Sequence, residues 1–358
     1  MGEGPKSIPS LLTRARRRAL RSIVVRLNQQ SDEYTTYRGR PKAAAAVGTW
    51  TEREVQADNA AVVMQGPPYE PDNFTLETLK LYARHMPNAH LILSTWRDTS
   101  PAILDPIRQL GADVVLNDKP DKPGLFNINM QLASAKTGVQ RAVELGAEWV
   151  LKTRTDQRLY QESFMSMLIS MAKTFPVASG YEQRFRIFGV GQGSLKYAPY
   201  HVTDQTVFGH AEDMLKYWDV PPKLEDPPVH WPKNLREVYH QVPVGELCRS
   251  GAAESRLASG FLERVGRPLS WTLVDHWKAL RDHFCFVDHG MVDLYWVKAQ
   301  TYTFGKEHAR DLEEITNRKE IGFGEWMLLY SGQLPPEAAT RYEGVLQQPF
   351  VERVANAD

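Results

Sequence analysis

The chain has 358 residues, 42% hydrophobic and 24% charged, with Trp 9, Tyr 14 and Phe 13, enough apolar surface for a substantial core and too much for a globally disordered chain. Lys+Arg 43 balances Asp+Glu 43, so no overall charge draws it to nucleic acid, and none is expected as a partner. Cys248 and Cys285 have neither the number nor the spacing of a zinc site or disulfide framework and read as reduced thiols in a cytoplasmic setting.

Charge is unevenly placed along the chain. Residues 10–27 contain Arg14, Arg16, Arg17, Arg18, Arg21 and Arg26 and no acid, while Leu11, Leu12, Ala15, Ala19, Leu20, Ile23, Val24 and Leu27 recur at steps of three and four. This predicts a basic amphipathic helix with an apolar stripe on one side. Such a helix suits an anionic membrane surface, peripheral on the inner face of the cytoplasmic membrane, with about 1 kcal/mol from each basic residue near the lipid. The alternative is a helix packed on its own domain or on a partner subunit. No stretch reaches the roughly 18 apolar residues of a membrane-spanning helix, and no secretory leader is expected. Residues 29–50 are polar, then alanine-rich, and read as a linker. The expected division is a basic helix at 1–30, a linker at 31–58, the main domain at 59–300 and a C-terminal extension at 301–358 packing on it.

From residue 59 the pattern alternates. Short apolar strands are predicted at 60–64, 90–94, 113–116 and 148–152, with helices at 75–85, 101–110 and 129–145 between them. That alternation implies right-handed βαβ units: an α/β fold with a mostly parallel twisted sheet and helices on both faces. The run 220–233 holds Pro221, Pro222, Pro227, Pro228 and Pro232, so it reads as a surface loop or hinge. Beyond it a helix is predicted at 252–265 and a strand at 290–297. No internal repeat is evident.

Ligands of open parallel sheets bind outside the carboxyl ends of the strands, so the loops there hold the candidate residues. The first loop offers Gln65, Gly66 and Pro67, with Tyr69 as a stacking face. The second offers Thr95 and Trp96 beside Arg97. The third leads into Asn127, Asn129 and Gln131 at a helix start, with Asn127 expected to cap the helix and the others to face its ligand. A phosphate suits that end, and Lys136 two turns in would add a full positive charge. The fourth strand ends in Lys152-Thr153-Arg154-Thr155-Asp156. Sugar-nucleotide transferases of the GT-A type carry an Asp-x-Asp motif at this place, whose carboxylates hold Mg²⁺ or Mn²⁺ against the donor diphosphate. Here Arg154 stands first and Asp156 is the one candidate metal ligand, so metal dependence is open. Arg154 could instead neutralise the diphosphate directly.

The chain resembles the WavE-type lipopolysaccharide synthesis proteins over about residues 60–296. The resemblance rests on Val63-Met64-Gln65-Gly66-Pro67, on Pro87-Asn88-Ala89 with Leu93-Ser94-Thr95-Trp96, and on Asn127-Ile128-Asn129-Met130-Gln131 followed by Ser134-Ala135-Lys136-Thr137-Gly138. It continues through Leu151-Lys152-Thr153-Arg154-Thr155-Asp156 and His201-Val202-Thr203-Asp204 before Phe208-Gly209. It implies a GT-A-like fold and transfer of a sugar from a nucleotide-activated donor to a glycan or lipid-linked glycan acceptor during cell-surface glycan synthesis. Acceptor contacts carry over least, because the C-terminal part matches more loosely.

Inverting transfer needs one carboxylate to take the acceptor hydroxyl proton. Glu254, at a predicted helix start, and Asp204 are the two candidates; a first-turn Glu would also stabilise a helix dipole without catalysis. The dyads Asp275-His276, Asp282-His283 and Asp288-His289 fit no ordinary zinc spacing and read as surface or core-edge histidines. Two other classes compete. A sugar-nucleotide nucleotidyltransferase would want a basic residue in the first loop, and residues 65–69 contain none. A non-catalytic scaffold docked on the membrane would bind no nucleoside diphosphate.

Overall fold

The computed structural model describes residues 11–30, 39–48, 59–299 and 319–350. The chain divides after Pro41 into two compact units. The first contains α1 (Leu11–Gln30), which covers the predicted basic helix; Leu20, Ile23, Val25 and Leu27 on it are exposed. Among the described residues no helix is long and apolar enough to cross a membrane.

The second unit holds the expected α/β fold around a seven-stranded sheet of order β3-β2-β1-β4-β7-β6-β8. Strands β1 (Ala60–Gln65), β2 (His90–Trp96), β3 (Asp113–Asn117) and β4 (Trp149–Arg154) are parallel. They alternate with α2 (Phe74–His85), α3 (Pro101–Gln109) and α4 (Ile128–Glu144). From β1 through β3 the sheet grows one way, and the connection to β4 reverses it. Right-handed crossovers therefore put α2 and α3 on one face and α4 on the other. The reversal opens a crevice outside the carboxyl ends of β1 and β4.

Apolar sequence explains the centre of this sheet. β1 reads Ala-Ala-Val-Val-Met-Gln and is buried throughout, as expected of a strand covered on both faces. α4 approaches it closely at Gly138, where an added Cβ would lie 2.4 Å from the Val63 Cγ1 atom, so only glycine fits.

The rest of the sheet was less visible in the sequence. β7 (Val207–His210) runs antiparallel to β4 and to β6 (Ile187–Val190), and β8 (Phe284–Val287) pairs parallel with β6. β8 follows α10 (Leu273–His283) without an intervening turn residue, so no punctuation announces it. The strand predicted at 290–297 is confined to β9 (Leu294–Trp296), which pairs with β5 (Gln157–Leu159) outside the main sheet.

Helices α5 (Phe164–Thr174), α6 (Ala211–Trp218), α7 (Leu235–Gln241), α8 (Val244–Ser250) and α9 (Ala253–Arg264) complete this half. Part of the expected linker belongs to the domain: Ala44 and Val47 are buried with Leu81, and the Ala44 N–H donates to Glu77 at 2.7 Å. Small alanines fit there because α2 lies directly beneath. Residues 319–350 pack on α10, with the Trp326 Nε1–H donating to the Leu280 carbonyl at 3.1 Å.

Candidate active site

The crevice between β1 and β4 is built from two loops tied to each other. Gly66, at φ +115, turns the chain out of β1 in a conformation that disfavours any side chain. The Thr155 hydroxyl donates to the Pro67 carbonyl at 2.6 Å, and the Thr75 hydroxyl to the Thr155 carbonyl at 2.9 Å. The β4 exit is also tied to the entry of β7: Thr153 and Thr206 share a hydroxyl contact of 3.0 Å, and Gln157 donates to Gln205 at 2.8 Å. These ties bring residues 152–156 beside residues 201–206.

At the β4 exit, the Arg154 Nε and Nη2 groups donate to the two Asp156 oxygens at 2.8 and 3.0 Å. Lys298, just after β9, reaches the Asp156 Oδ2 atom at 2.8 Å. Burial alone would raise the Asp156 pKa, but Arg154 and then Lys298 outweigh it and hold the carboxyl down at about 2.

Deeper in, Lys152 is fully buried, donates to the Asp204 and Gln205 carbonyls at 2.6 and 3.3 Å, and lies 4.7 Å from the centre of the Trp218 ring. Burial pushes its ammonium down to about 7. Asp204, 4% exposed, is within electrostatic reach of Lys152, Arg154, His201, Tyr217 and Glu254. Glu254, in the first turn of α9, keeps 27% of its side chain exposed and lies 3.6 Å from the His201 Nε2 atom. Burial, then the neighbouring Asp204 charge, raises its carboxyl well above the usual range. His201 donates from Nδ1 to the Gly193 carbonyl, and burial lowers it to about 4, so it is neutral near pH 7. The buried Tyr217 hydroxyl has no hydrogen-bond partner among the described residues.

The profile of the family described as WavE lipopolysaccharide synthesis matches residues 60–266, more than half of the chain. The chain belongs to this family. No curated protein matches it. Among solved structures, it is similar to a mannose-1-phosphate geranyltransferase from Thermus thermophilus at 15% identity and TM-score 0.30, over 62% of this chain and 78% of that one. It is similar to a glycosyltransferase involved in the glycosylation of the major capsid of PBCV-1 at 10% identity and TM-score 0.29, over 71% and 100%. It is also similar to a 4-diphosphocytidyl-2C-methyl-D-erythritol synthase at 15% identity and TM-score 0.30, over 46% and 80%.

In this WavE-family chain the sequence candidates separate into two sets. Arg154, Asp156, Asp204 and Glu254 come together. Gln65 instead donates to the Ser134 hydroxyl at 2.9 Å, Thr95 pairs with Thr99, Trp96 is buried, and Arg97 is ion-paired with Asp118. Asn127 occupies the N-cap of α4, but at φ +60 its side chain makes no capping bond. Asn129 clasps backbone, donating to the Lys122 and Lys223 carbonyls and accepting from the Lys223 N–H at 2.7 Å, which secures the proline-rich loop. The Gln131 Oε1 atom is buried without a partner among the described residues. Lys136 points to the end of α6, where its ammonium meets Asp219 at 2.5 Å. Asn129 is thus engaged by backbone, and Lys136 holds a half-exposed ion pair with Asp219.

The dyads are structural where they are buried. His276 accepts from the Tyr200 N–H and donates to the Leu195 carbonyl, and His283 bonds Gln183. Lys152 and Lys298 were missed. A lysine within the apolar run of β4 was a readable signal for the first; the second is delivered by the long-range β5–β9 pairing, which no local pattern encodes.

The residues around Asp156 do not fit a divalent cation. Both its oxygens are taken by cations, and among the described residues no group of three or more His, Cys, Asp or Glu could hold a metal ion. Two unit charges of like sign about 4 Å apart near a protein surface repel by about 4 kcal/mol, and a divalent ion beside Arg154 and Lys298 would face more.

Proposed function

We propose that this chain is a glycosyltransferase that moves a sugar from a nucleotide-activated donor to a glycan or lipid-linked glycan acceptor in cell-surface polysaccharide synthesis. The observation that carries the reading is the convergence of Glu254 and Asp204 beside the Arg154–Asp156 pair, at the switch point of the sheet. Family membership supports the pathway, and the geometry supports the chemistry.

In this reading Glu254 is the base. Its raised pKa makes it a stronger proton acceptor than an ordinary carboxylate. It removes the proton of the acceptor hydroxyl as that oxygen bonds to the anomeric carbon. The bond from that carbon to the diphosphate breaks with its electron pair going to the leaving group, and attack opposite the leaving group inverts the centre. Asp204 raises Glu254 and faces the donor sugar. The loop 65–67 supplies the backbone wall of the donor crevice.

The test is a panel of uridine, guanosine, cytidine, thymidine and adenosine sugar nucleotides with lipid-linked and free glycan acceptors. Nucleotide release and product mass are followed, and the anomeric configuration is assigned by NMR. Donor-dependent glycosylation with inversion is expected. A retained configuration removes Glu254 as base. Pyrophosphate release from a nucleoside triphosphate and a sugar 1-phosphate, without glycan product, would replace this reading with nucleotidyl transfer.

The basic helix α1 gives the protein a peripheral seat on an anionic membrane, as expected where the acceptor is lipid-linked. Exposed Leu20, Ile23 and Leu27 beside arginines suit an interfacial position. Deleting residues 1–30 should release the protein from phosphatidylglycerol vesicles while preserving transfer to a soluble acceptor. Equal sedimentation of both forms with the vesicles would place the contact elsewhere.

A further inference from the structure

Arg154 and Lys298 converge on one carboxylate at the strand end where a nucleotide donor would lie. The bidentate bond to Asp156 uses the Nε and Nη2 groups of Arg154, and among the described residues its Nη1 group carries no hydrogen bond. The guanidinium stands 5.6 Å from the centre of the Trp296 ring, whose buried Nε1–H has no partner among the described residues. Lys298 spends one of its donors on Asp156 and remains 57% exposed. Two cations share the one Asp156 carboxylate, with Asp204 also within electrostatic reach of Arg154.

We propose that Arg154 and Lys298, oriented by Asp156, clamp the donor diphosphate in place of a divalent cation. The proposal rests on the reading of the site as one for a nucleotide-activated sugar. Charge-assisted N–H donors fit the geometry of phosphate oxygens, and a guanidinium adds a planar fork. As the bond to the anomeric carbon breaks, its electron pair moves to the diphosphate oxygen, and the clamp's hydrogen bonds strengthen where that charge develops. Asp156 is a positioning residue: it touches the cations and keeps both turned toward the same point.

The experiment is calorimetric titration of the full-length protein with UDP, GDP, CDP, dTDP and ADP, in excess EDTA and again in Mn²⁺ or Mg²⁺. The preferred diphosphate should bind equally in both. Lys298→Ala, at an exposed position that leaves the fold undisturbed, should weaken it about tenfold, and Arg154→Gln more. Asp156→Asn should weaken binding less than either, with KM for the donor rising more than kcat falls. Binding that vanishes in EDTA and returns with Mn²⁺ overturns the clamp and leaves glycosyl transfer standing. Unchanged affinity in Lys298→Ala and Arg154→Gln does the same. Failure of every diphosphate under both conditions overturns the clamp and the donor reading together.

Discussion

Asp156 and Glu254 are both acidic residues of the charged cluster around Arg154 and Asp204, and their surroundings drive them in opposite directions. Asp156 has a cation on each oxygen and stays ionised down to about pH 2 despite its burial. Glu254 has burial, a like-charged Asp204 and a neutral His201 around it, and its carboxyl rises instead. Residue type alone would have made them equivalent. Environment makes one a fixed charge that organises cations and the other a group able to exchange a proton near neutrality.

Removing the titrating member should have the largest effect. Glu254→Gln keeps the shape and loses the proton acceptor, so kcat should fall by about a thousandfold, within the range for a general base. Nucleoside diphosphate affinity and the thermal melt should be unchanged. A variant that retains most of its kcat would remove Glu254 from proton transfer and break the contrast with Asp156.

The fixed member should fail differently. Asp156→Ala leaves Arg154, partly buried, without its acceptor, and a loss of roughly 1–3 kcal/mol in stability is expected together with a higher donor KM. The sign with pH follows from the depressed pKa. The folded value of about 2 lies below the unfolded one of roughly 3.9, so the stabilisation is complete above the unfolded value and fades as pH falls through the folded one. Urea melts of parent and variant should therefore differ near neutral pH and converge toward pH 2. A difference that persists undiminished in acid would mean the ion pairs are not its source.

A subtler change sharpens the comparison. Because Asp204 helps raise Glu254, Asp204→Asn should lower the Glu254 pKa. The base works deprotonated, so kcat/KM climbs as pH rises through that pKa, and the climb should move to more acidic pH in the variant. The shift is read against the parent profile, so it survives a loss of absolute rate. A profile that keeps its midpoint would show that burial alone sets Glu254.

Both members could be picked out from the sequence, but their opposite characters could not. The parallel half of the sheet was legible because β1 to β4 are apolar runs separated by helical periods, whereas the reversal of strand order that creates the crevice appears only in the fold. Glu254 could be nominated from a helix start and Asp204 from the His201-Val202-Thr203-Asp204 stretch. That they face each other depends on β7 running antiparallel to β4 and on α9 packing near α6, contacts between residues far apart in the chain. β6 and β8 are four residues each, too short to show a period. Asn129 shows a related ambiguity: an amide at a helix start suits a ligand or a backbone equally, and only the fold brings Lys223 within reach.

The smallest effect is expected where sequence position and tertiary position disagree most. Lys136 lies on the helix whose N-terminus points toward the sheet's carboxyl end, which made it a natural phosphate ligand on paper. Its ammonium is instead engaged by Asp219 in a pair whose side chains are 43% and 51% exposed. Exposed pairs of this kind contribute about 0–1 kcal/mol, so Lys136→Ala should barely move the thermal melt and should leave donor KM within about twofold of the parent. Lys298, absent from any local motif, should show the opposite balance, with little effect on stability and a clear rise in donor KM, because its partner Asp156 holds it beside Arg154 at the strand end. Measuring both lysines in one donor titration decides which end of the crevice holds the diphosphate. A large KM effect in Lys136→Ala with none in Lys298→Ala would move the phosphate site to the start of α4 and return Arg154 and Asp156 to a structural role.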